Sequence, residues 1–393
     1  MPNKIKILHI ITRLDKGGSA ENVLITFDKL NKNKYDTKLI FGRSAVSENT
    51  LKTIPNKRLD SLIRDISPIK DLTALFELYK IIETEKPDII HTHSSKAGFL
   101  GRWAAFFVNH ISNLKFRIKI VHTPHGHVFY GYSGKLKTFL FVFLERVSSI
   151  ITDKLVALTE GEKKESLKFK VGKPENWEVI HSGIDLNTNP AQKNELKKKL
   201  NIPENTLVIG TVARLEPVKG IKYFAQAFPF IVKSLNRPIT FVIVGDGNQR
   251  NEIESIVEKD GLKEKVIFTG MRADITDLMS IMDIYVQPSE NEGMGKTIIQ
   301  ALYLGKPIIA TNVQGIPDLI FDGKTGLLVP PKNAQAISIA VEQMANSMQT
   351  ANKLGQQGKF YAQELVEGLP RFSTERMISL LEKMYDKIMA RQG

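Results

Sequence analysis

At 393 residues, 42% of them hydrophobic and 25% charged, the chain is too long for one core and ordinary in composition, which predicts a globular protein of two domains. The absence of cysteine excludes disulfides and thiolate metal sites, and the longest strongly apolar run, 139–144, is far too short to span a bilayer. The net charge of +13 is lopsided: residues 1–180 carry 30 Lys and Arg against 19 Asp and Glu, net +11, which leaves +2 for residues 181–393.

From the N-terminus, strands and helices alternate. Residues 5–11 read as a buried strand that follows Met1 too closely for a secretory signal, so a soluble cytoplasmic protein is expected. Gly17-Gly18-Ser19-Ala20-Glu21 opens a helix toward Leu30, and 37–41 is a second strand. Residues 71–85 form an amphipathic helix with Leu72, Leu75, Leu78 and Ile81 on one side. The strand 87–91 ends in a polar loop, and helix 97–108, strand 119–123, helix 135–151 and strand 154–159 follow. Gly183-Ile184-Asp185 reads as a domain exit and the Lys-rich stretch 187–204 as a connector.

A second series then begins, with strands at 207–212, 239–244, 266–269 and 284–287 and helices at 220–235, 248–260 and 274–282. Helix 297–304, strand 307–311, the apolar segment 326–329 and helices at 334–344, 351–365 and 374–390 complete the chain. Alternation at this spacing predicts an α/β fold with parallel, doubly wound sheets. Two such series predict two Rossmann-like domains facing a cleft.

The most informative stretch is Pro288-Ser-Glu-Asn-Glu292-Gly-Met294-Gly295-Lys296-Thr297-Ile-Ile-Gln300. A carboxylate, a glycine-broken turn and a helix N-terminus in succession suit a ligand that is both anionic and rich in hydroxyls, as a nucleotide-sugar is. Arg214 and Lys219 lie just after a strand end, where ligands of open α/β sheets bind, and two cations there can hold a diphosphate. Alone they would read as two solvated loop cations; beside the Glu292 stretch the diphosphate reading is preferred. Gly17 and Gly18 stand in the first strand-to-helix turn and permit close approach of a phosphate. Gly245-Asp246-Gly247 is half of a dinucleotide fingerprint without its third glycine, which disfavours a dinucleotide cofactor.

His91, His93, His122, His125 and His127 gather at two strand ends. Zinc is one reading, weakened by the missing helical spacing and acidic ligand; one histidine reaching into the cleft with the others structural is preferred. There is no Asp-x-Asp pair to hold a divalent cation, so no metal and no cofactor is expected, and Arg214, Lys219 and a helix dipole would supply the positive charge. Helix 135–151, with Leu136, Phe139, Leu140, Val142, Phe143 and Leu144 beside Lys135 and Lys137, is more apolar than one buried face needs. It reads as a core helix or as a membrane-surface element. The basic first half is a solvated surface or an attraction to anionic lipid; no nucleic-acid module is visible.

Together these residues resemble glycosyltransferase family four, the retaining nucleotide-sugar transferases of the double-Rossmann GT-B fold. The resemblance rests on Glu292-x7-Gln300 within Pro-Ser-x-x-Glu-Gly and Ala-Leu-x-x-Gly-Lys-Pro. Further matches are Gly-Gly-Ser-Ala-Glu at 17–21, Thr-Pro-His-Gly at 123–126, Ser-Gly-Ile-Asp at 182–185 and Val-Ala-Arg-Leu-x-x-x-Lys-Gly at 212–220. It implies an acceptor domain over 1–186, a donor domain over 187–371, and a C-terminal segment, 372–393, that returns to the first domain. Glu292 would contact the donor sugar, Arg214 and Lys219 the diphosphate, and His125 the reacting sugar. Gly17, Gly18, Gly245, Met294, Gly295, Lys296 and Thr297 would line the donor site, with Met271 and Arg272 at the base. His93 and His127 are assigned to the acceptor.

Gln300 stands where the family places a second glutamate for the ribose; an amide still bonds a hydroxyl, without the charge. The expected reaction is metal-independent transfer from a nucleoside-diphosphate sugar, uridine-linked, to a glycan or lipid-linked acceptor at an anionic membrane surface. Two rivals remain: an epimerase on the same fold, which would convert the donor with no acceptor present, and a binding protein that does not turn it over.

Overall fold

Strand after strand in this chain is apolar at successive positions, and a strand of that kind needs cover on both faces. The computed structural model, which describes residues 4–14, 17–44, 54–126, 134–185 and 193–390, shows that cover supplied by helices. The chain divides into two units, Met1–Gly183 with Thr374–Gly393, and Ile184–Ser373.

In the first unit the described strands are β1 (Ile5–Ile11), β2 (Tyr35–Gly42), β3 (Asn56–Leu59), β4 (Ile89–His93), β5 (Lys119–Thr123), β6 (Lys154–Ala157) and β7 (Trp177–Val179). They form one parallel sheet in the order β3-β2-β1-β4-β5-β6-β7. Side chains alternate across it. Leu8, Ile10, Ile40, Ile90 and Ile120 pack with Ala74, Leu78, Ile81 and Ile82 of helix Pro68–Glu85 and Leu100 and Ala104 of helix Ser95–Ile111. Ile7, Ile89, Val121 and Val156 pack with Met377, Ile378, Leu381, Met384, Tyr385 and Ile388 of helix Thr374–Ala390. Those six recur at helical spacing, and burial at about 1.5–3 kcal/mol for each large side chain holds the C-terminal helix to this sheet.

In the second unit β8 (Leu207–Val212), β9 (Ile239–Val244), β10 (Val266–Gly270), β11 (Ile284–Gln287), β12 (Ile308–Thr311) and β13 (Leu327–Val329) form a parallel sheet in the order β10-β9-β8-β11-β12-β13. Phe224 and Phe228 of helix Ile221–Ser234 pack on Phe241 of β9 at the centre of its core. In both sheets the strand order reverses direction once, between β1 and β4 and between β8 and β11, and crevices at such points receive ligands.

The elements expected from periodicity are present, with additions that include β7 and the short antiparallel pair Leu365–Val366 and Leu369–Pro370. β3 is a polar edge strand, Asn-Lys-Arg-Leu, whose first three residues are exposed; an edge needs no apolar alternation, so none marks it. Helix Glu160–Lys168 carries too many charges to show an apolar face. Helix Lys193–Lys199 lies inside the stretch read as a connector, with one buried residue, Leu196. Helix Pro68–Glu85 begins three residues before the apolar period does, because Pro68 presets the backbone for a first turn. No helix among the described residues is long and apolar enough to cross a membrane.

Candidate active site

The polar centre of the second unit lies at the β8/β11 reversal. After β8 the chain makes a short turn, Pro217–Lys219, and reaches Gly220 with φ 62. A Cβ at Gly220 would stand 2.1 Å from the Pro288 carbonyl oxygen, so only glycine lets this loop touch the loop after β11. The contact is closed by the Glu290 N–H donating to the Val218 carbonyl at 2.9 Å. It brings Lys219 to Glu292: the ammonium donates to Oε2 at 2.7 Å, with the side chains 18% and 11% exposed.

Glu292 is also held from β11. Ser289 Oγ donates to the same carboxylate oxygen at 3.1 Å, and Gln287 Nε2 donates to Ser289 Oγ at 2.8 Å. Gln287 Oε1 accepts from Thr297 Oγ1 at 3.1 Å and from the Tyr285 hydroxyl. One network thus runs from the strand through the acid to the first turn of helix Lys296–Tyr303. Gly295 caps that helix at φ 73, and a Cβ there would meet Ile298 Cδ1 at 2.9 Å and Glu292 Cγ at 3.2 Å. The first turn holds no acidic side chain, so its dipole favours an anion. Met294 is buried and can serve a ligand only through its backbone. Gln300 lies one turn beyond Lys296, half-buried.

The other donor candidates are spread over neighbouring strand ends. Arg214 is gripped by Glu216, two residues on, at 2.6 Å. Met271 is exposed after β10, and Arg272 forms a two-pronged pair with Asp274 at 2.8 and 2.6 Å. Gly245 is crowded by backbone: its N–H donates to the Gly270 carbonyl at 3.0 Å, and a Cβ would lie 1.9 Å from the Ala213 carbonyl oxygen. Backbone crowding between strand ends demands glycine there.

The polar centre of the first unit is made of imidazoles at the ends of β1, β4 and β5. His9 Nδ1 lies 3.0 Å from His93 Nε2, and His93 Nδ1 lies 3.0 Å from His125 Nε2. His91 bonds the Tyr385 hydroxyl at 2.6 Å and Thr123 Oγ1 at 2.8 Å, and His122 Nδ1 bonds Thr92 Oγ1 at 2.9 Å. Burial keeps these rings neutral: it pushes His9 down to about 3 and His91, His93 and His122 well below the usual imidazole value. His93, expected at the acceptor, is buried and both its ring nitrogens face other histidines. Ligand atoms of His9, His91 and His93 lie within 4.8 Å of one another, close enough to share an ion, and every ring nitrogen of the three but His9 Nε2 also lies within hydrogen-bond distance of a side chain.

His125 sits at φ 58, a strained conformation for a residue with a Cβ, and Ser94 after β4 sits at φ 67. The loop is pinned from behind. Glu162, 1% exposed, accepts the Gly126 N–H at 2.9 Å and the Leu158 N–H at 2.6 Å. His127 lies outside the described residues. Gly18 opens helix Gly18–Lys29; Gly17 is in extended backbone that any residue adopts, and its carbonyl accepts the Glu21 N–H at 3.0 Å.

Sequence reasoning missed Glu162 and His9. Thr159-x-x-Glu162 after β6 is a capping-box pattern and marked Glu162; Thr159 does cap, through its hydroxyl to the Glu162 N–H at 3.1 Å. Nothing local marked His9, one polar residue inside an apolar strand. Elsewhere on this unit, helix Lys135–Ile150 exposes Leu136, Phe139, Leu140 and Phe143, a single stripe at helical spacing, and helix Pro68–Glu85 exposes Ile69, Leu72 and Phe76.

Two family models match the chain, Glycosyltransferase Family 4 over residues 17–188 and Glycosyl transferases group 1 over residues 192–360. A galactosyltransferase of Escherichia coli is 34% identical over 83% of this chain and 84% of its own length; its name gives UDP-galactose as donor and α-D-GlcNAc-diphosphoundecaprenol as acceptor. The capsular polysaccharide glycosyltransferase CapM of Staphylococcus aureus is 27% identical over 83% of each chain. The crystal structure of HepE from Anabaena with UDP and glucose superposes with a TM-score of 0.81 at 20% identity, covering 98% of this chain and 100% of that one.

Proposed function

This chain belongs to glycosyltransferase family 4, and from that premise we propose that it moves a hexose from a UDP-sugar to a lipid-linked glycan acceptor, with retention and without a metal ion. Galactose is the first candidate, from the donor named for the Escherichia coli relative. Assembly of capsule, O-antigen or lipopolysaccharide is the setting, in line with the names of several relatives. The observation that carries the reading is the Lys219–Glu292 pair beside an acid-free helix N-terminus at the β8/β11 reversal.

In this reading Lys219, Arg214 and the first-turn N–H groups at Lys296 and Thr297 hold the diphosphate, and Arg214 exchanges Glu216 for phosphate. Glu292, oriented by Ser289, bonds hydroxyls of the sugar, and Gln300 bonds the ribose. Met271 and Arg272 flank the base. The bond from the anomeric carbon to the phosphate oxygen breaks, and the acceptor oxygen bonds that carbon on the same face. The acceptor proton passes to the departing phosphate oxygen, and the two cations stabilise the charge on UDP.

Transfer from UDP-galactose and a panel of other nucleotide-sugars to a GlcNAc-diphospholipid tests this, with and without EDTA. One donor used, indifference to EDTA and loss in Glu292→Ala are expected. A requirement for divalent cation would remove the metal-free mechanism, and conversion of donor without acceptor would favour an epimerase.

The first unit is the proposed membrane face. A basic surface attracts anionic lipid, and the exposed stripe Leu136, Phe139, Leu140 and Phe143 has the form of an interfacial helix. Salt-sensitive flotation with anionic vesicles is expected; its absence would remove the membrane claim and leave the enzyme.

A further inference from the structure

Glu292 has two carboxylate oxygens, and the second unit treats them differently. Oε2 receives the Lys219 ammonium at 2.7 Å, Ser289 Oγ at 3.1 Å and Gln287 Nε2 at 3.5 Å, whereas Oε1 takes no hydrogen bond from any described residue. The oxygen left for a ligand is therefore Oε1, and the groups that grip Oε2 set the direction in which it points.

Gln287 stands behind that grip. Tyr285, Gln287 and Ser289 are all buried. The Gln287 amide has two ends and both are occupied. Toward helix Lys296–Tyr303, Oε1 accepts from the Tyr285 hydroxyl and from Thr297 Oγ1 at 3.1 Å; toward the acid, Nε2 donates to Ser289 Oγ at 2.8 Å. The carboxylate decides this orientation. A reversed amide would set its oxygen 3.5 Å from Glu292 Oε2 and draw the Ser289 proton to itself, leaving acceptors facing one another. The hydroxyls of Tyr285 and Thr297 can donate or accept, so they fit the orientation that the acid requires. Ser289, receiving a proton from Gln287, has its own directed at Glu292. Its main chain is held separately, by Thr311 Oγ1 of β12, which donates to the Ser289 carbonyl at 2.6 Å.

We propose that Gln287 is a positioning residue that aims the sugar-facing oxygen of Glu292 and ties it to the helix start that meets the diphosphate. One planar amide spans Ser289 and Thr297, the second residue of helix Lys296–Tyr303. The acceptor for a sugar hydroxyl and the first turn of the helix thereby keep a fixed spacing, which matters for a ligand whose sugar is bonded directly to its phosphate. The inference rests on the reading of Glu292 as the residue that bonds the sugar; Gln287 itself is buried and acts through Ser289 and Thr297.

The test compares transfer from UDP-galactose with binding of UDP alone, measured by calorimetry on the full chain. Gln287→Met fills similar space without hydrogen bonds; kcat should fall about thirtyfold while the Kd of UDP stays within about twofold, since the cations and the helix start remain. Ser289→Ala should show the same split, and the double variant should be no worse than the poorer single one. Thr297→Val keeps the backbone N–H and should lower kcat in the same way, and Thr297→Ser should recover it. Should Gln287→Met not fold, Ser289→Ala and Thr297→Val read the relay from its two ends. Wild-type kcat in Gln287→Met, or in both Ser289→Ala and Thr297→Val, overturns the proposal. Loss of UDP affinity in step with kcat would make Gln287 a brace for the fold and overturns it too. Wild-type transfer by Glu292→Ala would instead overturn the reading of Glu292 itself, and this inference with it.

Discussion

The two units answer the same topological problem with opposite chemistry. Each has a parallel sheet that reverses order once, and each puts polar side chains at the strand ends beside the reversal. In the first unit those side chains are rings that burial keeps neutral. In the second they are ions, Lys219 against Glu292, with partial access to solvent. All eight histidines of the chain lie before residue 184 and none after it. The difference teaches that burial depth selects the chemistry. Strand ends closed over by helix Thr374–Ala390 tolerate only groups that can shed charge, whereas loops open to a ligand can keep it.

The comparison breaks most directly in the ionic centre. Lys219→Ala and Glu292→Ala should each lower kcat by about 10²–10³, since each removes a charge placed for the transition state. Lys219→Ala should also cost about 1–3 kcal/mol of stability in the second unit, because Glu292 is left half-buried without its counter-ion. The double variant should be no worse than the poorer single one, which a double-mutant cycle in denaturant reads. Additive losses would mean that the two residues act separately.

Acid should divide the units next. Unfolded histidine takes its proton near pH 6.5, while folded His9 does so only at about 3 and His91, His93 and His122 likewise well below their usual value. Below 6.5 the unfolded state therefore binds more protons than the folded one. The stabilisation is whole above that pH and is lost as pH falls, by up to about 1.4 kcal/mol per pH unit for each ring. Amide exchange in β1, β4 and β5 should accelerate between pH 6.5 and 4.5, before that in β8, β9 and β11. Equal acceleration would show that the buried rings do not govern the first unit.

Two smaller effects sharpen the contrast. Gln300→Glu should tighten donor binding by about fivefold, the gain of a charged over a neutral acceptor for ribose hydroxyls, visible in KM and not in kcat. Phe139→Glu should abolish flotation with anionic vesicles while stability changes by less than about 0.5 kcal/mol and transfer to a soluble acceptor stays intact, because Phe139 is 67% exposed.

Much of the second centre was legible in the chain. Glu292, Gly295 and Thr297 sit within six residues, and a turn followed by a helix start is a local pattern that short-range sterics impose. Lys219 was legible as a cation after a strand. Its pairing with Glu292 was not, since it depends on Gly220 meeting Pro288 across 68 residues. At Gly245 a glycine needed for backbone crowding looks the same in sequence as one needed for a phosphate. The first centre was legible only as a surplus of histidines, and His93 was assigned to an acceptor because nothing near it in the chain reveals His9.

What the chain by itself determined is the set of elements and the kind of sheet. Buried strands alternating with amphipathic helices leave few other ways to cover apolar surface, and periods of two and 3.6 residues are written in short windows. What only the tertiary structure decided is which side chains share a proton or a charge. β1 pairs with β4 in the register Ile7 to Ile89, and that single choice carries His9 into reach of His93, 84 residues away. Hydrogen bonds act over 3 Å and ask nothing of the intervening chain, so their partners are set by strand order and register, which no local period encodes.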